Sequence, residues 1–200
     1  MTTILTHHGH TVDLLDPRPE TIDFRDVAHA LAHICRFGGH PNWHYSVAEH
    51  CFYVAMTLEV WGEPPEVQRI GLLHDATEAY LGDVVGPLKA HLPEYRAIED
   101  RFWRRAIAPA FGLPEEIPAV VHRADRAMFL CEQPQVNKHV RIVDPDAATV
   151  SLVFAAPDLA QRMFYDIYSN LQQQTGRPAL AEPLIITGQA ARQATGRRPW

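Results

Sequence analysis

GLLHDATEAYLGD, residues 71–83, sets His74 and Asp75 side by side within an apolar run. Glu78 follows one helical turn later, and Asp83 closes the stretch beyond Gly82. Pro64 and Pro65 open the segment, and Val67, Ile70, Leu72, Leu73 and Ala76 give it an apolar face. The spacing predicts one helix from the prolines to about Tyr80–Gly82. On that helix His74 and Glu78 share a face, and Asp75 neighbours Glu78 at i, i+3. Burying two carboxylates is costly unless a cation pairs with them. A divalent metal is the economical partner, and imidazole with carboxylate suits Zn²⁺, Fe²⁺, Mn²⁺, Co²⁺ or Ni²⁺ better than Ca²⁺. The competing reading is an exposed polar stripe, and ligands elsewhere in the chain decide between the two.

Upstream, YSVAEHCFYVA (residues 45–55) carries an S-x-x-E capping box at Ser46 and Glu49, which starts a helix running to about Trp61. His50 sits in its first turns among small and apolar residues. Downstream, VVHRADRAMFLCE (residues 120–132) puts Asp125 in mid-helix. Taken singly, His50 reads as a core histidine and Asp125 as a partner of Arg123 or Arg126. Taken together, a His, a His-Asp pair and an Asp on successive helices can converge at the centre of a bundle.

The rest of the chain supplies helices and little else. Phe24, Val27, Ala28, Leu31 and Ile34 fall at helical spacing from Asp23, and Gly38-Gly39 ends the run. Further helices are expected over about 94–110, 115–132 and 157–174. The first fifteen residues read as a short β-hairpin around His8-Gly9, with His7, His8 and His10 facing solvent at its tip. The expected fold is all-α, a compact bundle of about six helices with that hairpin in front. One domain spans 1–175, followed by a loosely attached tail at 176–200.

Composition narrows the partners. With 200 residues, 46% hydrophobic and 21% charged, the chain fits a single globular domain. No apolar run approaches the ~20 residues of a membrane span, and no secretory leader is expected. Three widely spaced cysteines without C-x-x-C point to core thiols and a reducing, cytoplasmic setting. A net charge of −6 argues against duplex nucleic acid. Phe102, Trp103, Ile107, Phe164 and Ile167 exceed what one bundle face needs, which points to a homo-oligomer.

Four stretches together resemble a known family: DFRDVAHALAHICRFGGH (23–40), YSVAEH (45–50), LLHDATEAYLGDVVGPLK (72–89) and ADRAMFLCE (124–132). They are similar to the HD-domain metal-dependent phosphohydrolases. Within that group they look most like the YfbR-type 5′-deoxynucleotidases and the viral enzymes that dephosphorylate dATP. The resemblance covers roughly residues 1–175. It implies an HD-type bundle in which His50, His74, Asp75 and Asp125 bind one divalent ion (Co, Mn, Zn, Fe, Ni or Mg). It implies Glu78 as general base, with Asp83 as a second acid that positions water or the leaving group. Arg36 matches the family's phosphate clamp, and Lys89 is a further phosphate contact. Phe37 stands where some relatives carry a tryptophan near the base or sugar, and His40 and His44 border the same pocket. The activity so implied is release of phosphate from nucleotides, first of all 5′-deoxynucleoside monophosphates. Two alternatives stand beside it: hydrolysis of dATP or other dNTPs, and a non-catalytic binding module with a structural metal.

Overall fold

The computed structural model describes residues 2–141 and 144–178. Most of the expected tail, from residue 179 on, lies outside the described residues. β1 (Thr3–Leu5) pairs antiparallel with β2 (Thr11–Asp13), with Ile4 opposite Val12. Helices α1 (Phe24–His33), α2 (Val47–Val60), α3 (Pro65–Leu73), α4 (Glu78–Leu81) and α5 (Gly86–Lys89) follow. Then come α6 (Pro93–Phe102), α7 (Ala108–Phe111), α8 (Ala119–Val136) and α9 (Pro157–Gln174). The fold is therefore helical with a small hairpin, as the periodicity predicts. No helix among the described residues is long and apolar enough to cross a membrane.

α2 is the axis of the bundle. It packs on α1, α3, α8 and α9 and is buried nearly all round, as its apolar circumference requires. On one side lies the α1–α9 core, where Phe24 stacks on Tyr168 at 3.9 Å and on Phe164 at 5.7 Å. On the other lies a smaller core of Tyr53, Val54, Leu58, Ile70, Val121 and Met128. Phe102, Trp103, Ile107 and Phe164 are buried, and Ile167 packs against the same core. The apolar surplus that pointed to an oligomer is thus taken up inside the chain.

Ser46 caps α2 by accepting from Glu49 N at 3.1 Å, but only half of the predicted capping box forms. The Glu49 side chain instead reaches across the core and accepts from the backbone N–H groups of Val153, Phe154 and Ala155 at 2.8–3.1 Å. It thereby pins the segment that leads into α9. The hairpin histidines also form contacts with α1. His8 Nδ1 and His10 Nδ1 lie 2.8 and 2.7 Å from the two oxygens of buried Asp26, and His7 stacks on His29 at 3.7 Å. They fasten the hairpin to α1 while His7 and His8 stay exposed, so the tip faces solvent as expected but is also tied down.

Prolines redraw two helix boundaries. The expected helix over 115–132 starts at Ala119, because a residue preceding Pro118 disfavours the helical region. The expected helix over 94–110 widens into a π-helical turn at Trp103–Ile107, where Ala108 N–H reaches Trp103 O. Pro109 has no N–H to offer Arg105, so a regular ladder cannot run through.

Gly71 sets how closely α3 lies on α2. A Cβ there would stand 2.3 Å from Leu58 Cδ1 and 3.4 Å from Val54 Cγ1, and Leu58 is itself fully buried. Gly71→Ala is expected to cost about 1–3 kcal/mol through overpacking. Urea unfolding should show this as a lower midpoint at unchanged slope.

Candidate metal centre

The third predicted helix does not run unbroken. α3 stops at Leu73, and His74–Thr77 form tight turns before α4 begins at Glu78. Ala76 N donates to Leu73 O and Glu78 N to Asp75 O, both at 2.9 Å. The His74 ring helps to end α3: its Nδ1 donates to Gly71 O at 2.7 Å, one of the carbonyls a helix end leaves without an intrahelical partner. The break brings His74 and Asp75 to the α2–α8 seam.

Four side chains meet there. His50 Nε2 lies 3.1 Å from Asp125 Oδ1 and 3.7 Å from Asp75 Oδ2. His74 Nε2 lies 3.3 Å from Asp75 Oδ2 and 3.8 Å from Asp125 Oδ1. Neither Nε2 atom has a hydrogen-bond partner, although both are buried. Both Nδ1 atoms are engaged, on Gly71 O for His74 and on Glu132 Oε1 for His50. Two ring nitrogens with free lone pairs and two carboxylates around one point form a donor set that fits a divalent ion of the zinc, manganese or cobalt kind. Cys51 also lies near His74, but its Sγ faces the Nδ1 already given to Gly71, and burial pushes its thiol up to about 11. His50, His74 and Asp125, with Asp75 beside them, are therefore the better set.

The electrostatics call for added positive charge. Burial opposes the Asp125 carboxylate, yet the two imidazoles hold its pKa well below the usual range. Burial and Arg36 push the His50 pKa down, but Glu132 and Asp125 raise it above the ordinary value. His74 is raised as well, with burial opposing and Asp75 favouring its charged form. The cluster gathers protons, and a metal ion would displace them.

The other sequence-predicted residues surround this point at different depths. Glu78 opens α4 and is buried. Burial, Asp75 and Asp83 push its carboxyl up to about 9, against the pull of Arg36 and Lys89. Asp83 is half-buried beyond the Gly82 turn, and burial raises its pKa too. Arg36 is nearly covered: Nη2 lies 3.3 Å from Glu132 Oε2 and Nη1 lies 3.6 Å from Asp75 Oδ2. Phe37 sits in a turn at φ +56°, with its ring 5.4 Å from the Arg36 guanidinium and 6.0 Å from Phe129. His40 is exposed at the end of that turn. His44 Nε2 contacts Ala32 O at 3.1 Å and so secures the base of the loop. Lys89 Nζ donates to Glu99 Oε1 at 2.6 Å.

A cleft of about 850 Å³ opens over His74, Asp75 and Asp125 and is walled by Lys89, Arg96, Glu99, Arg104 and His122. A second cavity, of about 750 Å³ on the α2–α8 flank, contains none of these residues. Two contributors escaped the sequence reading. Phe129 is 38% exposed one turn after Asp125 and faces Phe37. Glu132, fully buried, accepts from Tyr45 Oη at 2.7 Å and from His50 and Arg36. Burial opposes its charge, but Arg36 and His50 hold its pKa down to about 2. Its sequence signal is faint: it lies seven residues after Asp125, on the same helix face, at the end of an apolar run.

No family profile matches the chain. The uncharacterized protein YfdR of Escherichia coli (strain K12) is 31% identical over 160 residues, covering 77% of this chain and 86% of that protein. The chain belongs to the YfdR family. An uncharacterized protein of Rhodobacter capsulatus is 40% identical over 125 residues, covering 60% of this chain and 63% of its own length. The shared sequence with YfdR thus extends over most of both proteins.

Proposed function

We propose that the protein is a divalent-metal-dependent phosphomonoesterase of the HD-domain type that acts on nucleotides, with 5′-deoxynucleoside monophosphates as first substrates. The observation that carries this reading is the pair of buried, unpartnered Nε2 atoms of His50 and His74 facing Asp75 and Asp125 beneath an open cleft. His50, His74, Asp75 and Asp125 would hold the ion. When bound, it supplies Lewis-acid polarisation of a phosphoryl group and acidification of water.

The chain's own groups account for the remaining chemistry. Water attacks phosphorus, the bond to the nucleoside 5′ oxygen breaks, and that oxygen leaves as the nucleoside hydroxyl. Glu78 takes the proton from water and returns it to the departing 5′ oxygen. A carboxyl held at about 9 keeps its own proton at neutral pH, so it serves as base only when positive charge stands beside it. Arg36 keeps Asp75 and Glu132 in place and adds positive charge at the phosphoryl end. Phe37 and Phe129, whose rings lie 6.0 Å apart beside Arg36, would offer an apolar surface to a base or sugar.

Charge in the cleft favours the monophosphate over the triphosphate. Its walls carry Lys89, Arg96 and Arg104 against Asp75, Glu99, Asp100, Glu115, Glu116 and Asp125. Such a surface gives little compensation for the larger charge of a triphosphate. The test strips the protein of metal and supplies Co²⁺, Mn²⁺, Mg²⁺ or Zn²⁺ with each mono-, di- and triphosphate. Inorganic phosphate and nucleoside from a deoxynucleoside monophosphate are expected. Pyrophosphate or triphosphate as the product would move the assignment to dNTP hydrolysis. Metal binding without any turnover would leave a non-catalytic module.

A further inference from the structure

We infer that Glu132 is a positioning residue that selects the metal-binding tautomer of His50 and so sets how tightly the centre holds its ion. This rests on the reading that His50, His74, Asp75 and Asp125 form a metal site. Glu132 stands on α8 and is sealed from solvent, 82 residues along the chain from His50. Its two oxygens have different tasks. Oε1 receives Tyr45 Oη at 2.7 Å and faces His50 Nδ1, while Oε2 receives Arg36 Nη2 at 3.3 Å. Arg36 extends the chain of contacts to Asp75, at 3.6 Å. One buried carboxylate therefore touches one of the four proposed ligands and, through Arg36, steadies a second.

A neutral imidazole carries its proton on one nitrogen only. An ionised carboxylate only accepts, so it requires the proton on Nδ1 and leaves the Nε2 lone pair toward Asp125 and Asp75. His74 obtains the same constraint from the Gly71 carbonyl, which belongs to the backbone. At His50 the constraint depends on a side chain and can be removed by substitution. Glutamine has the shape of Glu132 but only one acceptor oxygen. If that oxygen faces Arg36, the amide N–H₂ faces His50 Nδ1. The ring must then accept at Nδ1 and protonate Nε2, which cannot ligate. If the oxygen faces His50, N–H₂ meets the guanidinium donors, an arrangement the fully donating Arg36 resists.

The test compares Glu132→Gln, Tyr45→Phe and the unaltered protein by titration with Co²⁺ alone. Long-range ¹H–¹⁵N NMR of the metal-free proteins, at a pH alkaline enough for the His50 ring to be neutral, reports the histidine tautomers. Glu132→Gln should bind Co²⁺ about 10–100-fold more weakly. His50 should pass from Nδ1–H in the unaltered protein to Nε2–H in the variant. Tyr45→Phe also removes a hydrogen bond to Glu132 but leaves the Nδ1 contact, so it should keep both the Co²⁺ affinity and the tautomer. Equal Co²⁺ affinity in Glu132→Gln and the unaltered protein would overturn the inference and leave the metal reading standing. Absence of Co²⁺ binding by the unaltered protein would overturn both. Should Glu132→Gln fail to fold, the His50 tautomer of the unaltered protein decides: Nδ1–H supports the inference and Nε2–H contradicts it.

Discussion

Asp125→Ala should remove tight metal binding while leaving the helical fold in place. Asp125 is the most exposed of the four proposed ligands, at 39%, and it is a cluster member rather than a packing residue. Its loss takes away the oxygen closest to His50 Nε2 and should weaken binding at least 100-fold, the upper end of what loss of a mere supporting hydrogen bond costs a metal site. Ligand linkage makes this visible as stability. An ion at 1,000 times its dissociation constant stabilises the folded chain by about 4 kcal/mol, and a 100-fold weaker site leaves about 1.4 kcal/mol. For a chain of this size the difference is roughly 5–10 °C in the metal-induced rise of Tm. Calorimetry of both proteins with and without Co²⁺ measures it. An equal rise in both would remove Asp125 from the ligand set.

Glu78→Gln should separate turnover from metal binding. The amide cannot accept a proton, so turnover should fall by about 10²–10⁴-fold, the range of general base contributions. Co²⁺ affinity should stay near that of the unaltered protein, since Glu78 is outside the proposed ligand set. The metal-free variant should also be the more stable of the two as pH rises. The Glu78 carboxyl goes from an ordinary 4.5 to about 9 in the folded chain, chiefly through burial and then through Asp75 and Asp83. A raised carboxyl contributes stability that is fully present below pH 4.5 and is lost as pH rises through about 9. Glutamine has no such loss. The Tm gap between variant and unaltered protein should therefore widen from pH 5 to pH 9 in the absence of metal. A gap that stays flat would mean that Glu78 ionises freely in the folded chain.

Much of the site was legible because its chemistry conflicts with its surroundings. His50, His74 and Asp75 stand out as polar groups in apolar runs, and Asp125 becomes meaningful once the other three are grouped. Periodicity and its punctuation placed α1, α2 and α9 closely: Asp23 caps α1, Ser46 caps α2 and Pro157 opens α9. What escaped depends on contacts distant along the chain. The break after Leu73 involves a ring-to-carbonyl hydrogen bond that no periodicity encodes. Glu49 looked like the far half of a capping box, yet it serves a segment more than 100 residues away. The hairpin histidines are solvent-facing as expected, but their contacts with Asp26 on α1 were not legible. Glu132 has no reading of its own in the sequence, and only the approach of α2 to α8 brings it to His50.

The most direct test of the metal centre is the anomalous diffraction of crystals grown with Co²⁺. The account predicts a single strong peak among the side chains of His50, His74, Asp75 and Asp125, the residues that would hold the ion. No peak at that point, or a peak only at the exposed faces of His8 and His10, would contradict it.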